Sequence, residues 1–243
     1  MPDPTADLPD LPNPEIHHDH RDVSGGWLRP TVFGMMDGLV SNFALVAGIA
    51  AASSDSTTVS LAGLAGLVGG AFSMATGEYV SVQSQNELTL AELEVERREL
   101  HVNSAAEQAE LAAMYVSRGV EPELANQVAA QLSRDPDQAL LIHAQEELGV
   151  DPAQLPSPWT AAWSSLAAFS VGAFVPLLPY LFGASSLWIS AALSVCGLFG
   201  AGAATSRFTS RSWRFAGLRQ LTLGILAAVV TYGVGSLFHA AVG

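Results

Sequence analysis

The chain has 243 residues, of which 49% are apolar and only 14% charged, and it carries 22 glycines. That composition excludes an ordinary soluble globule and points to several membrane spans, with small residues where helices approach closely. A formal charge of −13 and a single cysteine, Cys196, exclude a nucleic-acid surface, a disulfide framework and a cysteine metal cluster.

Residues 1–26, "MPDPTADLPDLPNPEIHHDHRDVSGG", are rich in Pro and Asp and lack an apolar core. They read as a loosely attached acidic arm, neither signal peptide nor span. Its His17, His18, Asp19 and His20 could bind metal as an accessory arm. Crossing the hydrocarbon core takes roughly 20 apolar residues. Five segments meet that length: about Leu28–Ala52, Thr57–Val82, Trp159–Phe182, Ser185–Ser206 and Phe215–Ala241. The sequence therefore predicts an all-α membrane protein of five spans. Residues 27–82 hold the first two, 83–158 form a helical insert, and 159–243 hold the last three.

All ten basic residues are arginine. Arg21 and Arg29 precede the first span, Arg97, Arg98, Arg118 and Arg134 lie in the insert, and Arg207, Arg211, Arg214 and Arg219 surround the last junction. Five spans put every one of them on the side of the N-terminus. The positive-inside rule makes that side, and the insert, cytosolic, with the C-terminus outside.

The insert holds fourteen Asp/Glu between Gln83 and Pro158. Residues 83–102 contain no Gly or Pro and should extend the second span as one long helix. "SAAE" at Ser104–Glu107 reads as a capping box opening a new helix, with Gly119 as its stop. A short helix is expected over about Glu121–Leu132, and another from the Asp135-Pro136 start to a point before Gly149. Glu96 and Glu99 share one helix face, as do Glu107 and Glu110. A fold-back at the capping box would bring the pairs together, with His143 and Glu147, one turn apart, completing the group. Carboxylates with an imidazole suit Fe(II), Mn(II) or Zn(II), and an all-oxygen version would accept Ca(II) or Mg(II). The competing reading is a set of solvated helix faces, part-neutralised by Arg97 and Arg98.

Three polar residues interrupt the first two spans: Asp37, Asn42 and Glu78. An ionisable group within a span is costly and marks a pathway or a site. Met74 and Glu78 lie four apart and should share a face. Beside two carboxylates a thioether favours a transition metal over Mg(II) or Ca(II). Gly34, Gly38, Gly66 and Gly70 give GxxxG spacings, read as close helix packing. There is no Walker motif or nucleophile elbow, and the only Glu-x-x-His, Glu15 to His18, lies in the arm. The chain is not expected to be an enzyme.

"WLRPTVFGMMDGLVSNFALVAGIA", "GLAGLVGGAFSMATGEYVSVQSQNEL", "EVERREL", "EQAELAAMYVSRG" and "HAQEELGVDP" resemble, in order, the vacuolar iron transporter family in its bacterial form. The resemblance implies a homodimer in the cell membrane that exports Fe(II), and often Mn(II), from the cytosol in exchange for protons. It implies no permanent cofactor, the metal being substrate. It matches Asp37 and Met74 to the translocation path and Glu96, Glu99, Glu107, Glu110 and Glu147 to the cytosolic metal site. His143 stands where plant-type members are expected to have methionine. Glu78 belongs to a "GEYVSV" form and is assigned to the membrane path. The alternative from another class is a membrane-anchored cytosolic metal buffer or sensor without transport.

Overall fold

A computed structural model describes residues 26–52, 55–184 and 186–242, without the side chains of 51–52, 228–229 and 231–242. The His17, His18, Asp19 and His20 arm lies outside the described residues. Helix α1 spans Leu28–Ala52, α2 Ser56–Val102, α3 Ser104–Ser117, α4 Pro122–Leu132, α5 Pro136–Glu146, α6 Pro158–Leu181, α7 Leu187–Thr205 and α8 Trp213–Val242. No strand occurs among the described residues.

Within that described part, α1, α2, α6 and α7 contain stretches long and apolar enough to cross a membrane. The fifth expected span falls on α8, a helix of 30 residues whose later side chains are not described. Helix α2 is unbroken over 47 residues. At 1.5 Å per residue it is about 70 Å long, more than twice the hydrocarbon thickness of roughly 30 Å. The expected continuation of the second span into the insert is therefore observed.

Helix α6 packs against both α1 and α2, and α7 against α8. Glycine decides how near α1 and α6 come. A Cβ on Gly34 would lie 2.8 Å from the Ser165 carbonyl oxygen, and one on Gly38 2.8 Å from the Ala173 nitrogen. Backbone lies against backbone there, so no larger side chain fits. Helix α6 runs through Pro176 and Pro179 without ending.

Three contacts show which helix ends lie together. The Trp27 ring meets Phe208 at 5.2 Å, the Tyr79 ring meets Trp159 at 4.9 Å, and Arg29 Nη1 lies 4.0 Å from Glu78 Oε2. The start of α1, the middle of α2, the start of α6 and the α7–α8 link thus share one end of the bundle. At the other end Val46, Val59, Leu177 and Tyr180 form a buried cluster, and Asp55 caps α2 by accepting from the Thr57 and Thr58 amides.

The insert folds back on α2. Leu93 of α2 packs with Leu140 and Ala144 of α5, and Leu111 and Ala112 of α3 pack with Ala125 and Ala129 of α4. The Asn86 side chain donates to the Pro156 carbonyl at 2.9 Å. Asp135 caps α5 as expected, ahead of a first-turn proline, and Gly119 takes a positive φ of 93° after α3.

The capping box does not form. Asn103 is the cap residue of α3, and no side chain caps that helix. Asn103 Nδ2 donates to the Glu99 side chain at 2.5 Å instead, and Glu107 is drawn inward toward His143. The break still falls where expected and lets α3 reverse beside α2.

Candidate metal centre and the helical cavity

His143 is completely buried, and its Nδ1 faces three carboxylates from three helices. Glu147 Oε1 is 2.8 Å away, Glu96 Oε1 3.0 Å and Glu107 Oε2 3.8 Å. One ligand atom from each of the four residues lies within 4.8 Å of every other. Helix α2 supplies Glu96, the first turn of α3 supplies Glu107, α5 supplies His143, and the cap of α5 supplies Glu147.

Nδ1 can give one proton to one of these oxygens. Glu96 Oε1 is buried without a hydrogen-bond partner. Burial raises the pKa of the Glu96 carboxyl, and the neighbouring Glu147 adds to the rise, against an opposing effect from His143. Glu107 is raised in the same way, by burial first and then by Glu110. Like charges held this close ionise together only if something positive joins them. An imidazole nitrogen with carboxylate oxygens is the donor set of a divalent transition metal, and these residues fit one.

Glu99 and Glu110 fall outside the four-residue group. Glu99 accepts from Asn103, and Glu110 is exposed; both still add negative potential at Glu107. Arg118 pairs with Glu146, which ties the end of α3 to α5 and keeps that arginine off the cluster. The spacing of the acidic pairs did not show that only one member of each points inward.

A second site lies in the bundle. A cavity of about 320 Å³ is lined by residues of α1, α2 and α6, among them Asp37, Asn42, Gly66 and Met74. Asp37 and Met74 therefore face a common space. Glu78 does not line it. That side chain is 7% exposed and turned toward Arg29 at the end of the bundle. The shared face with Met74 therefore does not carry Glu78 into the cavity, because one turn of α2 already moves it past the cavity's edge. Ser41, Asn42 and Ser73, which the pattern of charged residues passes over, supply the other polar groups.

Helices that can span a membrane, a carboxylate–histidine centre on the far part of one of them and the insert, and a polar cavity between them define a multi-pass membrane protein with candidate cation sites. The chain belongs to the VIT family, whose profile matches residues 28–236. It is 38% identical over 229 residues to a vacuolar iron transporter of Acanthamoeba castellanii, covering 90% of this chain and 82% of that protein. Vacuolar iron transporter 1 of Oryza sativa subsp. japonica is 31% identical over 227 residues, with 90% and 89% covered. Vacuolar iron transporter 1 of Arabidopsis thaliana is 28% identical over 220 residues, with 89% and 88% covered.

Proposed function

We propose that the protein exports divalent metal, Fe(II) and/or Mn(II), from the cytosol across the cell membrane in exchange for protons. It works as a five-span homodimer with the arm and insert cytosolic and the C-terminus outside. The observation that carries this reading is a single helix, α2, holding both a cluster ligand, Glu96, and a cavity residue, Met74. The two are 22 residues apart, or about 33 Å of helix. The names of the relatives support iron as a substrate.

In this mechanism the acidic insert attracts hydrated metal. Glu96, Glu107, His143 and Glu147 replace part of its water. The ion then passes the mouth beside Glu78 to Asp37 and Met74. A buried carboxylate holds its proton tightly and a bound cation displaces it, so metal and proton compete for one group. That competition is the physical basis of exchange.

One chain brings four possible ligands within 4.8 Å of one another, which also suits a membrane-anchored buffer. Proteoliposomes with the insert facing outward and a metal-quenched dye inside separate the readings. Fe(II) and Mn(II) are added with and without an outward proton gradient, to wild type and Asp37→Asn. Gradient-stimulated quenching that the variant loses is expected. Metal binding with no quenching in the wild type would sink transport and leave the buffer.

A further inference from the structure

Asn42 sits inside the apolar helix α1 and is 2% exposed. Its Nδ2 donates to the Ala173 carbonyl of α6 at 2.6 Å. That bond fixes which way the amide points, since the flipped amide would set two acceptor oxygens against each other. Oδ1 must face away from α6. It is buried and accepts no hydrogen bond.

The direction it faces is toward α2. A Cβ placed on Gly66 would lie 2.8 Å from Oδ1, and both residues line the cavity that holds Asp37 and Met74. A packing role explains the Nδ2 bond but leaves the oxygen unexplained. Buried acceptors without partners are rare because they are costly, and a serine could tie α1 to α6 with a hydroxyl that both donates and turns. Asparagine brings a fixed oxygen beside the cavity, and Gly66 adds no side chain in front of it.

We propose that Asn42 Oδ1 is a ligand of the transported divalent cation, beside Asp37 and Met74. This assignment rests on the transport reading. A neutral amide oxygen is a hard donor. It adds coordination without a second negative charge, so the ion is selected but not trapped. It also offsets the soft Met74 thioether and favours Mn(II) or Fe(II) over softer ions of the same charge.

Asn42→Cys exchanges that hard oxygen for a soft sulfur. Every protein tested carries Cys196→Ser, which leaves the introduced thiol as the only one. Uptake of Mn(II) and Cd(II) into dye-loaded proteoliposomes is compared for the parent, Asn42→Cys, Gly66→Ala and Asp37→Asn. The Cd(II) to Mn(II) rate ratio is expected to rise about tenfold or more in Asn42→Cys. An equal loss for both ions would mean packing alone and overturn the assignment.

Should Asn42→Cys not be recovered folded, Gly66→Ala decides. It leaves the Ala173 bond in place and sets a methyl against Oδ1 and against Leu45 Cδ2, the flexible end of a side chain that can give way. The KM for Mn(II) should then rise several-fold with kcat little changed, and an unchanged KM overturns the assignment. The Asp37→Asn control separates the two levels. Flux undiminished in Asp37→Asn refutes transport through this cavity altogether. Flux lost there, with an unshifted ion ratio in Asn42→Cys, refutes only the role of Asn42.

Discussion

The centre around His143 and the cavity beside Asp37 are built from contrasting materials. The first gathers three carboxylates and an imidazole within 4.8 Å, on helices that pack through small cores of leucine and alanine. The second has Asp37 as its one ionisable lining residue among those described, with an amide, two hydroxyls and a thioether around it. Dense negative charge suits capture, because its attraction for a cation is strong. Sparse charge in an apolar bundle suits passage, because a cation held by several buried carboxylates would not leave. The two regions differ in dielectric surroundings as much as in ligand type.

The comparison breaks first at Asp37. Asp37→Asn should cut transport by about 100-fold, while titration calorimetry still finds metal bound at the cluster. Loss of both would mean the two regions are not separable. Glu96→Gln or Glu147→Gln should weaken binding at the cluster about 10- to 100-fold, yet leave much of the flux at saturating metal. An equal fall in maximal flux would make the cluster part of the path itself.

Packing gives the next effect. Gly38→Ala forces a methyl against the α6 backbone at Ala173 and should cost about 1–3 kcal/mol. Gly69→Ala meets nothing within 4 Å and should change stability by less than about 0.5 kcal/mol. Thermal unfolding in detergent measures both, and equal shifts would disprove the close α1–α6 contact.

The smallest expected effect is on pH. Glu96 and Glu107 have raised pKa values, so the folded, metal-free protein binds their protons more tightly than the unfolded chain. Their contribution is fully present below the ordinary carboxylate range and fades as pH rises through the raised values. As pH rises from the ordinary carboxylate range through those raised values, the metal-free Tm should therefore fall, and added Mn(II) should restore it. A Tm that is independent of metal at the upper end would argue against a cation site.

Helix positions were legible because local rules set them. The Asp135-Pro136 start, the Gly119 stop and the unbroken run into the insert all appear as read. The capping box was misread because its Glu107 has two possible partners, a backbone amide nearby and an imidazole far along the chain, and the second prevails. Glu99 and Glu110 share the faces of Glu96 and Glu107 yet lie outside the four-residue group, because periodicity fixes a shared face but not the rotation of that face toward a partner helix. Met74 and Asp37 line one cavity, while Glu78, on the same stripe as Met74, meets Arg29 instead.

By itself the sequence determined the helices and their apolar length, because hydropathy and capping act over a few residues. Only the tertiary structure decided which carboxylates converge on His143 and which way Asn42 points. The first depends on helices of the insert that fold back on α2, the second on α1 and α6, whose Asn42 and Ala173 are 131 residues apart and are brought close by glycines that let backbones touch.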